Sequence, residues 1–288
     1  MDTNSNSQEM PKSVNPLQKY FRTPAIYLKL PSGGQYWPDD ALELPINGEI
    51  PVFPMTQKDE IMLRTPDALM NGTAIYEVIK SCCPNIKDPW SMPSVDVDAV
   101  LIAVRIASYN NQMDITAKCP KCSETRDYGV DLAVTLDNIK MADFKHPLHV
   151  GELKIKLKPQ SYLLLNQVNQ VNFNQQRILQ QISQDGVSDE VRTAELKKHM
   201  DAIVVANLDN LANSTESITA NGEKVSDPKF IREFYENTES KIIKAVRTHL
   251  DKLNTDGAVK PYRVKCPEEE CGHEFDLSIE FDYANFFA

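Results

Sequence analysis

Cys119-Pro120-Lys121-Cys122 and Cys266-Pro267-Glu268-Glu269-Glu270-Cys271-Gly272-His273 are two cysteine knuckles set far apart in one chain of 288 residues. Each lies between segments patterned as strands. Ile115 and Ala117 alternate with polar residues before the first knuckle, and Tyr128, Val130 and Leu132 do so after it. Tyr262 and Val264 precede the second, with Phe275, Leu277, Ile279 and Phe281 following. Each half therefore reads as a hairpin with a knuckle at its tip, and together they read as a zinc ribbon whose halves are split by a long excursion. A knuckle supplies two soft thiolate ligands from one tight turn, so two knuckles complete the tetrahedral shell of a structural Zn²⁺. We expect one site built from Cys119, Cys122, Cys266 and Cys271. Proline after the first cysteine of each pair fixes φ in the turn, and Gly272 supplies a residue free to take positive φ. A lone CxxC is a weak signal, whereas two matched knuckles argue against unrelated turns with buried thiols. The second pair has a longer spacing than the first, and His273 stands as the alternative to Cys271 for the fourth ligand position.

Four thiolates would close the metal shell, whereas a catalytic zinc keeps a position open for water beside an acid or base. The ion is therefore expected to act as a staple. Ribbons often bind nucleic acid, but from Tyr262 to Tyr283 the cations are Arg263 and Lys265, against Glu268, Glu269, Glu270, Glu274, Asp276, Glu280 and Asp282. Such a surface repels phosphate. A net charge of −10 argues in the same direction, against DNA or an anionic membrane as main partner. No apolar run is long enough to span a bilayer. The first residues, Met1 to Ser7, have neither the basic start nor the apolar stretch of a signal peptide. Six cysteines without an export signal fit reduced thiols holding metal, and so a cytosolic place of synthesis.

Residues 1–16 are polar and read as a disordered arm. Short strand runs follow, Ile26 to Leu30 among them, broken by turn signals at Pro31-Ser32-Gly33-Gly34 and by an expected hairpin at Asn47-Gly48. No GK[ST] follows the glycine pair, so it reads as a turn and not as a phosphate loop. Thr56 with Asp59 resembles a capping box ahead of Ile61, Met62 and Leu63. Pro66 starts a second helical piece, and Thr73 to Cys82 makes a third, ending at Cys82 and Cys83, which read as small buried residues. From Ser94 to Tyr109, Val97, Val100, Leu101 and Val104 fall at helical spacing, with Asp96 and Asp98 favouring the N-terminal dipole.

Phe21-Arg22-Thr23-Pro24, Leu30-Pro31-Ser32-Gly33-Gly34-Gln35-Tyr36-Trp37-Pro38, Phe53-Pro54-Met55-Thr56, Arg64 to Gly72, Val100 to Tyr109 and the Cys119 knuckle form a series. That series resembles the baseplate hub protein family of T-even-type contractile-tailed bacteriophages, over roughly residues 17 to 135. The resemblance implies a structural component or assembly factor of the central hub of the tail baseplate, without a known reaction. Its place would be the virion tail, or the host cytoplasm during assembly, and its partners other tail or hub proteins.

Between the ribbon halves, Leu153 to Leu157 alternates apolar residues with lysine and is expected to join the ribbon sheet. Three helical stretches follow, at roughly 160–184, 188–212 and 228–254. The first carries Leu164, Val168, Val171, Ile178 and Ile182, interrupted at Gln175. The second carries Leu196, Met200, Ile203, Val204, Leu208 and Leu211. The third is capped by Asp227 with Pro228 in its first turn, ahead of Ile231, Phe234, Ile242, Val246, Leu250 and Leu253. Asn221-Gly222 reads as a small hairpin between Ile218 and Val225. A self-contained three-helix packing is expected, with the Gln- and Asn-rich first helix as a candidate for pairing with another chain. Phe281, Tyr283, Phe286 and Phe287 crowd the last residues, either docked on this chain's own sheet or held out to a partner.

The fold class expected is α+β. It comprises the arm, a small mixed domain over 17–110, the split ribbon from 111–158 with 255–288, and a helical insertion over 159–254. The histidines, His146, His149, His199, His249 and His273, show no HExxH spacing, and neither GxSxG nor a phosphate loop occurs. A non-enzymatic interaction protein is the leading expectation, with an oligomer possible. The alternative is a zinc-ribbon regulator that binds nucleic acid.

Overall fold

The computed structural model describes residues 15–182, 189–279 and 286–287, so the expected arm lies almost wholly outside the described residues. The first sheet pairs β1 (Ile26–Lys29) antiparallel with β2 (Glu49–Val52), turning Leu28, Ile50 and Val52 inward. Asn47-Gly48 does make a turn, with Gly48 at φ 75° and its N–H bonded to Pro45 O at 2.8 Å. It does not join two adjacent strands. Pro45 interrupts the run before the turn, Leu42 bridges instead to Ile86, and β2 finds its partner back at β1. Gly33 and Gly34 both take positive φ, as a turn requires.

The capping box is present: Asp59 N–H donates to Thr56 Oγ1, and the Asp59 carboxylate accepts from Thr56 N–H at 2.7 Å. It opens α1 (Gln57–Leu63), which is followed by α2 (Pro66–Met70) and α3 (Thr73–Cys82). Arg22 ties the chain before β1 to this layer. It donates to Pro54 O and Ser81 O at 2.8 Å each and lies 3.6 Å from Asp59.

The central helix is α4 (Ser94–Ser108). The pattern of valines and leucine predicts one buried face, but Ala99, Ile102 and Ala103 are also fully buried, so the middle of the helix is enclosed except at Asp98. Asp96 does more than favour the helix dipole. Completely buried, it accepts from Ser32 N–H at 2.8 Å, Ser32 Oγ at 2.5 Å and Trp37 Nε1 at 2.8 Å. The Leu30 to Pro38 segment is thereby pinned to the start of α4.

From α4 the chain enters β3 (Gln112–Lys118) and β4 (Thr125–Asp131), an antiparallel hairpin. The apolar alternation stops at Leu132, which opens α5 (Leu132–Asn138), because the Asp131 carboxylate caps it by accepting from Ala133 N–H at 2.9 Å. Next come β5 (Leu148–Val150) and β6 (Leu153–Leu157). The lysine-alternating strand was expected in the ribbon sheet, and this is corrected: β6 lies between β5 and β7 (Thr215–Ala220), in a four-stranded sheet closed by β8 (Glu223–Val225). Ile155 and Leu157 are apolar on the face that the later helices cover, and that cover decides the partner. The β7–β8 turn is the expected Asn221-Gly222 pair, both at positive φ, with Ile218 opposite Val225.

The first two long helices are α6 (Tyr162–Ile182) and α7 (Asp189–Asn213). The third expected stretch is two helices, α8 (Pro228–Asn237) and α9 (Ser240–Gly257), because Thr238 and Glu239 are extended. The insertion is therefore mixed, not a three-helix packing. Its core joins Ile155 and Leu157 of the sheet to Leu211 of α7, Ile231 and Tyr235 of α8, and Val246, Leu250 and Leu253 of α9, with Phe144 and Val95. Among the described side chains of α7, those near its end are held there, while Met200 is 65% and Val204 55% exposed. Ile178, Ile182, Leu196 and Gln175 lie outside the described side chains. Tyr76, Trp90 and Tyr162 stack in series at 5.2 and 5.1 Å and fasten α6 to the first half.

The chain closes with β9 (Tyr262–Lys265) paired to β10 (Glu274–Leu277). Phe286 and Phe287 are buried in the same core as α4, and Tyr109 donates its hydroxyl to Phe287 O at 2.9 Å. These two aromatics dock on the chain's own body; Phe281 and Tyr283 lie outside the described residues. Among the described residues no helix is long and apolar enough to cross a membrane.

Candidate metal centre

Both knuckles are built by the same backbone device. The first cysteine of each donates its N–H to the carbonyl two residues past the second: Cys119 to Glu124 at 2.9 Å, and Cys266 to His273 at 2.8 Å. The residue after the second cysteine takes positive φ, Ser123 at 64° and Gly272 at 50°. Its N–H donates to the carbonyl three residues before that cysteine, which is Cys119 in one knuckle and Glu268 in the other. Glu268 thus fills the turn position of Cys119. The longer spacing is absorbed because Cys266 sits two residues further back along its strand. Gly272 is legible in the sequence as a turn residue; Ser123 is not, except by its equivalent position after Cys122.

The hairpins β3–β4 and β9–β10 bring these tips together. Cys119 Sγ lies 3.9 Å from Cys271 Sγ, and Cys122 Sγ lies 3.7 Å from Cys266 Sγ. All four sulfurs fall within 4.8 Å of one another. Ligands about 2.3 Å from a tetrahedral centre are separated by about 3.8 Å, so the sulfur spacing matches the edge of such a shell. It is far longer than the bond of about 2 Å in a disulfide. Cys119 and Cys266 are buried, while Cys122 and Cys271 are partly exposed. His273 is not among the converging groups; its ring stacks on Phe275 with centroids 6.2 Å apart.

The thiols are electrostatically linked. Backbone N–H donation within the knuckle, from Cys122 first, draws the Cys119 thiol down to about 7. Against the backbone N–H of Glu124, burial and the three neighbouring thiols push Cys122 up to about 12. Crowded sulfurs that compete for the same protons suit a cation at their centre. Among the described residues the buried Tyr128 hydroxyl has no nitrogen or oxygen hydrogen-bond partner. Burial, then the charge of Cys266, raises its pKa. The donor set and spacing fit a soft divalent ion.

Around the cluster the hairpins are clipped together. Tyr128 meets Phe275 edge to face at 5.3 Å, and Arg126 Nε donates to Glu268 Oε1 at 2.8 Å. That cross-hairpin pair carries no signal in the sequence. Cys82 and Cys83 take no part; both are buried, as expected, and burial pushes the Cys82 thiol up to about 12.

A family model described as T4 bacteriophage base plate protein matches residues 23–288. No curated protein and no solved structure matches.

Proposed function

The chain belongs to the T4 bacteriophage base plate protein family, and from that premise we propose that it serves the central hub of the baseplate, as a structural subunit or an assembly factor. The family suggests a structural or assembly role and a place in the virion tail. In this reading the chain works without catalysis, through contacts with other tail or hub proteins. A Zn²⁺ held by Cys119, Cys122, Cys266 and Cys271 staples the base from which residues 159–254 leave and to which they return. The observation that carries the zinc reading is the convergence of four thiols at tetrahedral spacing from positions so distant in sequence. Bound there, the ion would supply no reaction, only a closed shell that locks two hairpins.

The acidic residues of the second hairpin support protein partners over nucleic acid. Mass analysis of purified tails and of incomplete hub intermediates tests the role. A hub subunit is found in both, an assembly factor in the intermediates alone, and absence from both defeats the proposal. Strong, salt-sensitive association with duplex DNA would favour the regulator instead.

A further inference from the structure

One carboxyl on α4 has no counterpart. Among the described residues Asp98 makes no side-chain hydrogen bond and no ion pair, and burial alone pushes its pKa up to about 6. It faces a cleft of about 240 Å³ between α4, α6 and α9. The other groups around that cleft are uncharged, with Asn166, Asn169 and Asn254 supplying carboxamides and Val95 and Leu165 apolar walls. Tyr162 also lines it, with its hydroxyl donating to Gly72 O at 3.2 Å. Asn166 spends its amide on Asn71 O at 2.8 Å, which leaves its oxygen as an acceptor. A second cleft, lined by Met70 and Phe173, shares Asn169 with the first, and both those apolar side chains are about half exposed.

An unpaired carboxylate is costly to enclose, so its retention in a cleft open to solvent points to a cation arriving from outside. A single carboxylate falls short of the anionic ligand sets that hold calcium or magnesium. One carboxylate with several carboxamide oxygens instead suits a planar guanidinium, which offers five donors and no acceptor. In the neighbouring cleft Met70 and Phe173, set among Asn71, Gln170 and Asn174, offer an apolar patch to residues flanking the cation. The chain's net charge of −10 favours a basic partner.

We propose that this cleft binds an arginine side chain of another tail protein, with Asp98 as counterion, the three asparagines as further acceptors, and Met70 and Phe173 covering the residues beside it. This rests on the protein-contact reading above; tail composition is measured separately, so the two ideas fail independently. The test titrates the full-length protein with N-acetyl-arginine methylamide and with its uncharged isostere, N-acetyl-citrulline methylamide, by calorimetry. The arginine compound should bind at least tenfold more tightly, and Asp98→Asn should remove that preference. The variant should melt no lower than the parent at pH 7, because it loses an uncompensated carboxylate, so lost binding would not reflect lost folding. Equal binding of the two compounds, arginine binding unchanged in Asp98→Asn, absence of saturable binding, or equal binding of ammonium chloride would each overturn the proposal.

Discussion

α4 and the paired cysteine hairpins both hold together segments far apart in the chain, and they do so by opposite means. From Val95 to Val104 nearly every side chain of α4 is buried, so burial of apolar surface, with the Asp96 hydrogen bonds beside it, fixes the neighbouring strands and helices. The hairpins are two-stranded, with exposed residues along most of their length. A two-stranded hairpin is marginal by itself. Their buried contribution is chiefly Tyr128, Val130, Val264 and Leu277 on one side and the four sulfurs on the other. On the proposed metal reading, one region draws its stability from area and the other from a point contact. They should therefore respond differently to the same insult.

The sharpest way to break this comparison is to remove the point contact. Cys119→Ser, Cys266→Ser or a strong chelator should release bound metal and abolish amide protection in β3, β4, β9 and β10 while α4 stays protected. This is the largest effect expected, since structural zinc contributes about 10 kcal/mol or more in small zinc-finger peptides. Metal analysis with hydrogen exchange checks it; one zinc per chain in both variants would remove the staple from the account. Next comes the area side. Leu101→Ala, at a fully buried site on α4, should cost about 2–5 kcal/mol in denaturant unfolding without changing metal content. A loss of zinc in that variant would show that the two regions are one cooperative unit.

The smallest effect is one of sign. Asp98 has its folded pKa raised by burial from 3.8 to about 6. Its contribution is therefore fully present below about pH 4 and lost as pH rises through about 6, on the order of 3 kcal/mol at most. The proposed metal site should behave in the opposite way, because its ligands would have to be deprotonated to hold metal. Between pH 6 and 4 the α4 region should gain stability while the hairpins lose theirs. Asp98→Asn should flatten the first trend and leave the second. Parallel trends in both regions, read by hydrogen exchange across that range, would contradict the division.

Much of the centre was legible beforehand, because metal-ligand spacing is a local property. Cys-Pro-x-Cys and the matching knuckle declare their chemistry without any knowledge of what lies between them. Hairpins at Asn221-Gly222 and helix starts at Thr56 and Asp227 were legible for the same reason, being caps and turns written within a few residues. What escaped was non-local. The alternation at Leu153 to Leu157 announces a strand, yet period two cannot say which strand lies beside it, and the pairing went to β7. The valine spacing of α4 announces a helix, yet it took the packing of the main core around it to bury Ala99, Ile102 and Ala103 as well. Asp96 reads from sequence as a dipole residue, whereas its bonds to Ser32 and Trp37 are set by the fold.

By itself, then, the sequence determined which cysteines sit in matched knuckles, most of the helices and strands, and the turns, since each depends on covalent geometry and nearest neighbours. The sulfurs expected to meet across well over a hundred residues do converge; only the tertiary structure decided that the terminal phenylalanines fold back onto α4's core and that Asp98 faces an open cleft. Those outcomes depend on which surfaces exclude water from one another, a property of the whole chain that no short window of it contains.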